Sequence, residues 1–288
     1  MRVLVTGASG LLGSTVAREF ASDAVVESVT HRDLDITDPA AVSSVVDRVS
    51  PGVIVNCAAY NDVDAAEGHA PDAMAVNAFG VLALARAARA AGAVFVHYSS
   101  DFVFDGEAAR PYTEDDRPRP RSVYAATKLL GEWFAAEAPR HYVLRVESLF
   151  GPPADAGRRR GSLGTIVDGI RRGDVVPVFV DRTVSPSYTV DVASATRRVI
   201  EASLPPGVYH CVNDGAPKWN DVAAEAARLL GLSLQMRELT LESASLPAAR
   251  PRYCALSPSR LAASGIRMPT WQDALARYLN PSSLIPHR

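Results

Sequence analysis

Lysine is almost missing from this chain: of 30 basic residues among 288, only Lys128 and Lys218 are lysine. Cysteine is scarce too. Cys57, Cys211 and Cys254 are odd in number and widely spaced, which excludes a disulfide framework and a zinc-ligand spacing, and suits a reducing cytoplasm. No metal site is expected. A formal net charge of −2 provides no overall field to draw the chain to nucleic acid or to an anionic membrane. No apolar run approaches the ~20 residues of a membrane span, and Met1-Arg2-Val3-Leu4-Val5-Thr6 enters a strand pattern with no signal-like apolar core before it. These absences predict a soluble cytoplasmic protein whose partners are neither nucleic acid nor membrane.

What is present is ordinary globular material, 48% hydrophobic and 22% charged. Short β-rich runs at Arg2–Thr6, Val25–Val29, Gly52–Asn56, Ala93–Tyr98 and Tyr142–Arg145 alternate with helical patterns at Leu11–Ala21, Pro39–Val49, Asp72–Ala91 and Val123–Ala138. Repeated β-α-β units with continuously apolar strands predict an α/β fold, a Rossmann-type doubly wound parallel sheet. The rhythm breaks at Gly151. Pro152-Pro153 and Gly157-Arg158-Arg159-Arg160-Gly161 read as a loop, and shorter mixed elements follow. The expected division is a dinucleotide-binding domain over 1–150 and a smaller α+β substrate domain over 151–288, with segments near 186–215 returning to the main sheet.

Thr6-Gly7-Ala8-Ser9-Gly10-Leu11-Leu12-Gly13 falls where the first strand meets the first helix. Gly7 permits a tight turn, Gly10 lets backbone approach a pyrophosphate, and Gly13 lets helix and strand pack closely. The free N–H groups of the helix start, from Ser9 to Leu12, face the phosphates. At the end of strand two an acidic side chain would take the ribose 2′-hydroxyl of NAD, whereas arginine accommodates the 2′-phosphate of NADP. His31-Arg32 arrives where that strand should end, so NADP(H) is favoured over NAD(H); a register shift that brought Asp33 there would reverse the choice. Asp35-Ile36 is placed to contact adenine or to serve as turn and core, and Cys57-Ala58-Ala59-Tyr60 lets the cofactor pass close to backbone.

Tyr124 and Lys128 lie four apart, one turn along one face of a predicted helix. A free phenol has a pKa of about 10, poorly matched to proton transfer at pH 7, and a neighbouring ammonium would lower it. Tyr124 would donate a proton during carbonyl reduction, and Lys128 would also hold the nicotinamide ribose. Ser100, at the carboxyl end of strand four, would stabilise the developing oxyanion.

With glycine turn, serine and tyrosine–lysine pair in this order, the chain resembles the extended short-chain dehydrogenase/reductases, and within them the dTDP-4-dehydrorhamnose reductase branch. Further carriers are Leu34-Asp35-Ile36-Thr37-Asp38, Val63-Asp64-Ala65-Ala66-Glu67, Val76-Asn77, His97–Gly106, Ser185-Pro186-Ser187-Tyr188 and Arg250-Pro251. The resemblance implies Ser100, Tyr124 and Lys128 as a catalytic triad and a C-terminal domain closing over a nucleotide-linked sugar. It implies reduction of the 4-keto group of a 6-deoxy-4-ketohexose, with Asp101, Phe102, Arg182 and Arg250 on the substrate side and the two arginines toward the diphosphate. The chain departs from the family pattern in three places. It has Ser100 for threonine, Phe102 for tyrosine, and Arg145-Val146-Glu147-Ser148 where the family commonly reads Arg-Thr-Ser-Trp. Related 4,6-dehydratases carry a glutamate after Asp101, where this chain has Phe102. A 4-epimerase, and a non-catalytic regulatory subunit resembling the β subunit of methionine adenosyltransferase, stay open as alternatives. The helices over 72–91 and 123–138 offer faces for a homodimer.

Overall fold

The structure, a computed structural model, describes residues 1–152 and 161–280. The arginines at 158–160 lie outside the described residues. From the N-terminus the chain runs β1 (Arg2–Thr6), α1 (Leu11–Phe20), β2 (Val25–Val29), α2 (Pro39–Val49) and β3 (Val53–Asn56). Two short helices, α3 (Ala65–Gly68) and α4 (Ala70–Met74), lead through a π-helical turn (Ala75–Phe79) into α5 (Gly80–Ala90). Then come β4 (Val94–Ser100), a 3₁₀ turn (Asp101–Val103), α6 (Val123–Ala135) and β5 (His141–Val146). Local signals set several of these ends. Asp38 caps α2 by accepting from the Ala40 and Ala41 N–H groups, with Pro39 in the first turn, and Ser122 caps α6 by accepting from Ala125 N–H.

The six-stranded sheet has the order β2-β1-β3-β4-β5-β9, where β9 is Gly207–His210, and every pairing is parallel. Because β1 is followed outward by β2 on one side and by β3 on the other, the switch point lies between β1 and β3, at the carboxyl ends where a crevice opens. Alternation along the strands serves two layers. Val3, Val5, Val53, Val55, Val94 and Val96 pack with Leu12, Val16 and Phe20 of α1 and with α8 (Thr189–Glu201). Leu4, Ile54, Phe95 and Val143 pack on the opposite face with α2, α5 and α6.

Downstream of β5 the chain forms β6 (Leu149–Phe150), α7 (Gly161–Arg172), β7 (Val176–Phe179) and β8 (Ser187–Tyr188), then α8 and β9. It closes with α9 (Trp219–Leu230), β10 (Met236–Leu239), α10 (Leu241–Ala244), α11 (Ser259–Ala263) and α12 (Trp271–Leu279). A separate core of Phe150, Leu163, Ile166, Val178, Trp219 and Trp271 holds these elements, with β7 and β10 paired in parallel. α8, β9 and α11 belong to the main sheet and its helical layer instead.

The helix read over 72–91 differs in detail, because the π turn interrupts it at Asn77. The run Ala70–Ala90 does reach the length and apolarity of a membrane span, contrary to the sequence expectation, but half of it is buried inside the protein. Its apolarity serves the sheet face rather than lipid: Val81, Leu84, Ala85 and Ala88 pack in the core.

Candidate active site

The glycine turn makes the first wall of the site. Gly7 has φ of +63°, and a Cβ there would stand 2.6 Å from Ala58 N and Cys57 C at the end of β3. Only glycine meets both demands. A Cβ at Gly13 would fall 2.3 Å from Gly7 O, so helix and turn touch directly. Across the switch point, Asn56 Oδ1 accepts from Thr6 Oγ1 at 2.6 Å and from Ala58 N at 3.1 Å. Asn77, exposed to its partners by the π turn, accepts from Tyr60 N at 2.9 Å and donates to Tyr60 O at 3.1 Å and Thr127 Oγ1 at 3.1 Å. Two asparagines thereby hold the backbone of Cys57–Tyr60 in place.

Between these walls lies a cavity of about 400 Å³ lined by Gly7, Ser9, Gly10, His31, Asp35, Ile36, Cys57, Ala58, Ala59 and Tyr60, among others. The structure thus gathers most of the residues read for the dinucleotide. Leu12 and Gly13 are buried behind the lining, Leu11 faces a second cavity, and Arg32 is exposed beside His31 without lining either. Asp33, the residue on which a register shift would turn, is folded back: its Oδ2 accepts from Thr30 N at 2.8 Å and Thr30 Oγ1 at 2.7 Å. Asp35 is likewise engaged, accepting from Thr37 N and Oγ1, which holds its carboxyl below the usual range.

The second cavity, about 720 Å³, shares Gly10 with the first rim and is lined by Leu11, Ser100, Asp101, Phe102, Glu147, Ser148, Arg182 and Arg250 among others. Ser100 ends β4; its Oγ donates to Asp101 Oδ1 at 2.8 Å and accepts from Phe102 N at 3.2 Å. Tyr124 and Lys128 sit just behind this lining, 8% and 3% exposed. The Tyr124 ring meets Phe102 edge-on at 5.6 Å. Its phenol is pushed up by burial and by the Asp101 carboxylate, with the Ser100 hydroxyl pulling the other way. The sequence argument had Lys128 lowering the phenol. In the structure Lys128 Nζ donates to Tyr98 O at 2.6 Å, and burial brings its own pKa down to about 8 against the opposing charge of Glu132.

Four arrangements around this cavity are not read from the sequence, although Glu147 stands out there as a carboxylate gained near the substrate face. The Arg145 guanidinium, buried, grips Glu132 with Nε to Oε1 at 2.8 Å and Nη2 to Oε2 at 2.7 Å, and Ser99 Oγ adds a third bond to Oε1 at 2.5 Å. This strut joins β4, β5 and α6 directly under Ser100 and one turn beyond Lys128. Glu147 accepts from Ser148 Oγ at 2.5 Å and from Ser185 N at 2.5 Å. Asp101, Glu147 and Cys254 bring ligating atoms within 4.8 Å of one another. Finally, the two arginines assigned to a diphosphate have protein partners. Arg250 pairs with Asp64 at 2.8 Å and stacks over Phe102 at 5.8 Å, while Arg182 donates to Pro251 O at 3.3 Å and Cys254 Sγ at 3.0 Å. Both still line the cavity.

Comparisons with known proteins match the chain along nearly its whole length. The model of a family described as the RmlD substrate binding domain matches residues 1–284. A dTDP-4-dehydrorhamnose reductase of Streptomyces griseus is 40% identical over 286 residues, 95% of this chain and 91% of the relative. A probable dTDP-4,6-dihydroxy-2-methyloxan-3-one 4-ketoreductase of Streptomyces antibioticus is 36% identical, covering 96% of this chain and 93% of the relative. The crystal structure of the dTDP-4-dehydrorhamnose reductase of Bacillus anthracis in complex with NADP superposes with a TM-score of 0.91 at 30% identity, over 97% of this chain and 99% of that one. On the match of the family model along nearly its whole length, the chain belongs to the RmlD substrate-binding domain family.

Proposed function

We propose that this protein is an NAD(P)H-dependent reductase of the 4-keto group of a nucleotide-linked 6-deoxy-4-ketohexose. The observation that carries the reading is the placement of Ser100 on the wall of the larger cavity with Tyr124 directly behind it, beside the glycine-walled cavity that fits a dinucleotide. When bound there, the dinucleotide supplies hydride to the carbonyl carbon. Ser100 Oγ turns from Asp101 to the carbonyl oxygen and steadies the charge that develops on it. Tyr124, kept protonated by burial, gives that oxygen its proton. Lys128, one turn along α6 and fixed by the Tyr98 carbonyl, would hold the nicotinamide ribose.

The engagement of Asp33 with Thr30 keeps its carboxylate occupied, and His31 lines the cavity with Arg32 exposed beside it, which supports NADP(H) over NAD(H). The exposed rings of Phe79 and Trp133, 54% and 66% accessible on neighbouring helices, support pairing of two copies through that face. We place the protein in the cytoplasm, where its free cysteines would stay reduced.

The direct test is oxidation of NADPH and of NADH by the purified protein with dTDP-4-keto-6-deoxyglucose, with and without a 3,5-epimerase. Oxidation that prefers NADPH is expected. Oxidation of neither cofactor with any 4-ketohexose, while NADP(H) still binds, would overturn the reductase assignment in favour of a regulatory subunit.

A further inference from the structure

Two carboxyls and a guanidinium on the larger cavity remain once the reduction has been assigned to Ser100, Tyr124 and Lys128. Glu147 is 2% exposed, yet it lines the cavity together with Ser148. Asp101 is 3% exposed; its Oδ1 is satisfied by Ser100, and its Oδ2 has no hydrogen-bond partner among the described residues. One guanidinium, Arg182, lines the cavity beside them. Burial and the Asp101 charge push Glu147 up to about 8, and burial lifts Asp101 to about 6. Burial thus makes both carboxyls hold a proton more tightly than free ones do.

The group is not built for a metal ion. Cys254 completes a trio of possible ligands, but Arg182 Nη2 already donates to its Sγ at 3.0 Å, and the guanidinium supplies the positive charge a cation would bring. What the cavity receives is a buried carboxyl hydrogen-bonded to a serine hydroxyl. That wall both donates and accepts, as an alcohol does. A deoxy carbon placed against it would take these buried polar groups out of water and add no hydrogen bond in exchange.

We propose that Glu147, on the cavity wall beside Ser148, is a specificity-determining residue that reads a free ring hydroxyl of the nucleotide-linked sugar. This rests on the reductase reading above and deepens it. Glu147 takes no part in the transfer of hydride or proton; it selects which ketohexose is held for them.

The test compares the wild-type protein, E147A and E147Q with NADPH on dTDP-4-keto-6-deoxyglucose and on its analogues lacking the 2- or the 3-hydroxyl. The wild type should prefer the hydroxylated sugar at one of these positions by roughly 10–100-fold in kcat/KM. E147A should bring that ratio to within about threefold, and E147Q, whose amide also donates and accepts, should keep most of it. Equal ratios in the wild type and E147A would overturn the proposal. Calorimetric binding of the matching dTDP-deoxyhexoses to the NADP⁺-loaded protein repeats the comparison without turnover. If Glu147-dependent discrimination appears there while no NADPH is oxidised, the reductase reading falls and the hydroxyl reading stands. If NADPH is oxidised and neither measurement discriminates, the reverse holds.

Discussion

Glu132 and Arg145 form the buried strut beneath the active site, and removing either one alone should be costly for stability and for chemistry together. Both side chains are 4% exposed and meet through two bonds of 2.7–2.8 Å. Arg145 also stacks over Phe104 at 4.9 Å, so it has no route to water if its partner is lost. Breaking a buried pair by truncating one member costs about 3–5 kcal/mol, because the other charge is left uncompensated. Ser99, which donates to the same carboxylate, adds about 1 kcal/mol when its acceptor disappears. E132L and R145M should each lower the calorimetric Tm by roughly 5–15 °C. Replacing both residues at once by apolar side chains of similar volume should recover most of that loss, since an apolar pair costs nothing to desolvate. The catalytic consequence has its own sign. Glu132 raises the pKa of Lys128, which burial has brought down to about 8. In E132Q the lysine therefore moves lower still, loses its charge nearer to pH 7, and the alkaline fall of kcat should shift toward lower pH. Single-variant losses below about 1 kcal/mol, or a double variant as unstable as the two singles summed, would refute this account of the strut.

Tyr124→Phe should lower kcat by the ~10²–10⁴-fold typical of a lost general acid, with NADPH affinity, read by fluorescence titration, kept within a few-fold. Gly7→Ala forces a Cβ to 2.6 Å from the Ala58 and Cys57 backbone at positive φ, so cofactor affinity should fall by about tenfold or more in the same titration; unchanged binding would remove Gly7 from the cradle. Glu147 titrates from the ordinary 4.5 up to about 8 on folding, so its contribution is present below pH ~4.5 and is lost as pH rises toward 8. Wild-type urea midpoints should therefore fall relative to those of E147Q between pH 5 and 8, at no more than about 1.4 kcal/mol per pH unit, and parallel curves would contradict a raised Glu147.

The parts of this molecule that were legible in the sequence are those whose signals are local. The glycine turn, the capped start at Asp38-Pro39, the apolar strands and the four-residue spacing of Tyr124 and Lys128 each occupy one short stretch, and each forms the element its spacing suggests. The chemistry that was not legible is assembled across the chain. Asp101, Glu147, Arg182 and Cys254 come from four segments that only the packing of the C-terminal elements against the end of the main sheet brings within reach. Glu132 and Arg145 meet because α6 lies across β5, a relation no spacing encodes. Even the readable pair was read incompletely. Spacing put Lys128 on the same face as Tyr124, but the depth of α6 decides which atom Nζ reaches, and there it finds the Tyr98 carbonyl at 2.6 Å. The proton on Tyr124 is thus set by three things the linear order does not contain: its burial, the Asp101 charge, and the Ser100 hydroxyl that stands between them. Since the Asp101 charge adds to the burial that raises Glu147, one carboxylate connects the acid that would complete the reduction with the wall that would choose its sugar. A change at Glu147 should consequently alter the alkaline limb of turnover as well as the substrate ratio, because Asp101 is felt by both.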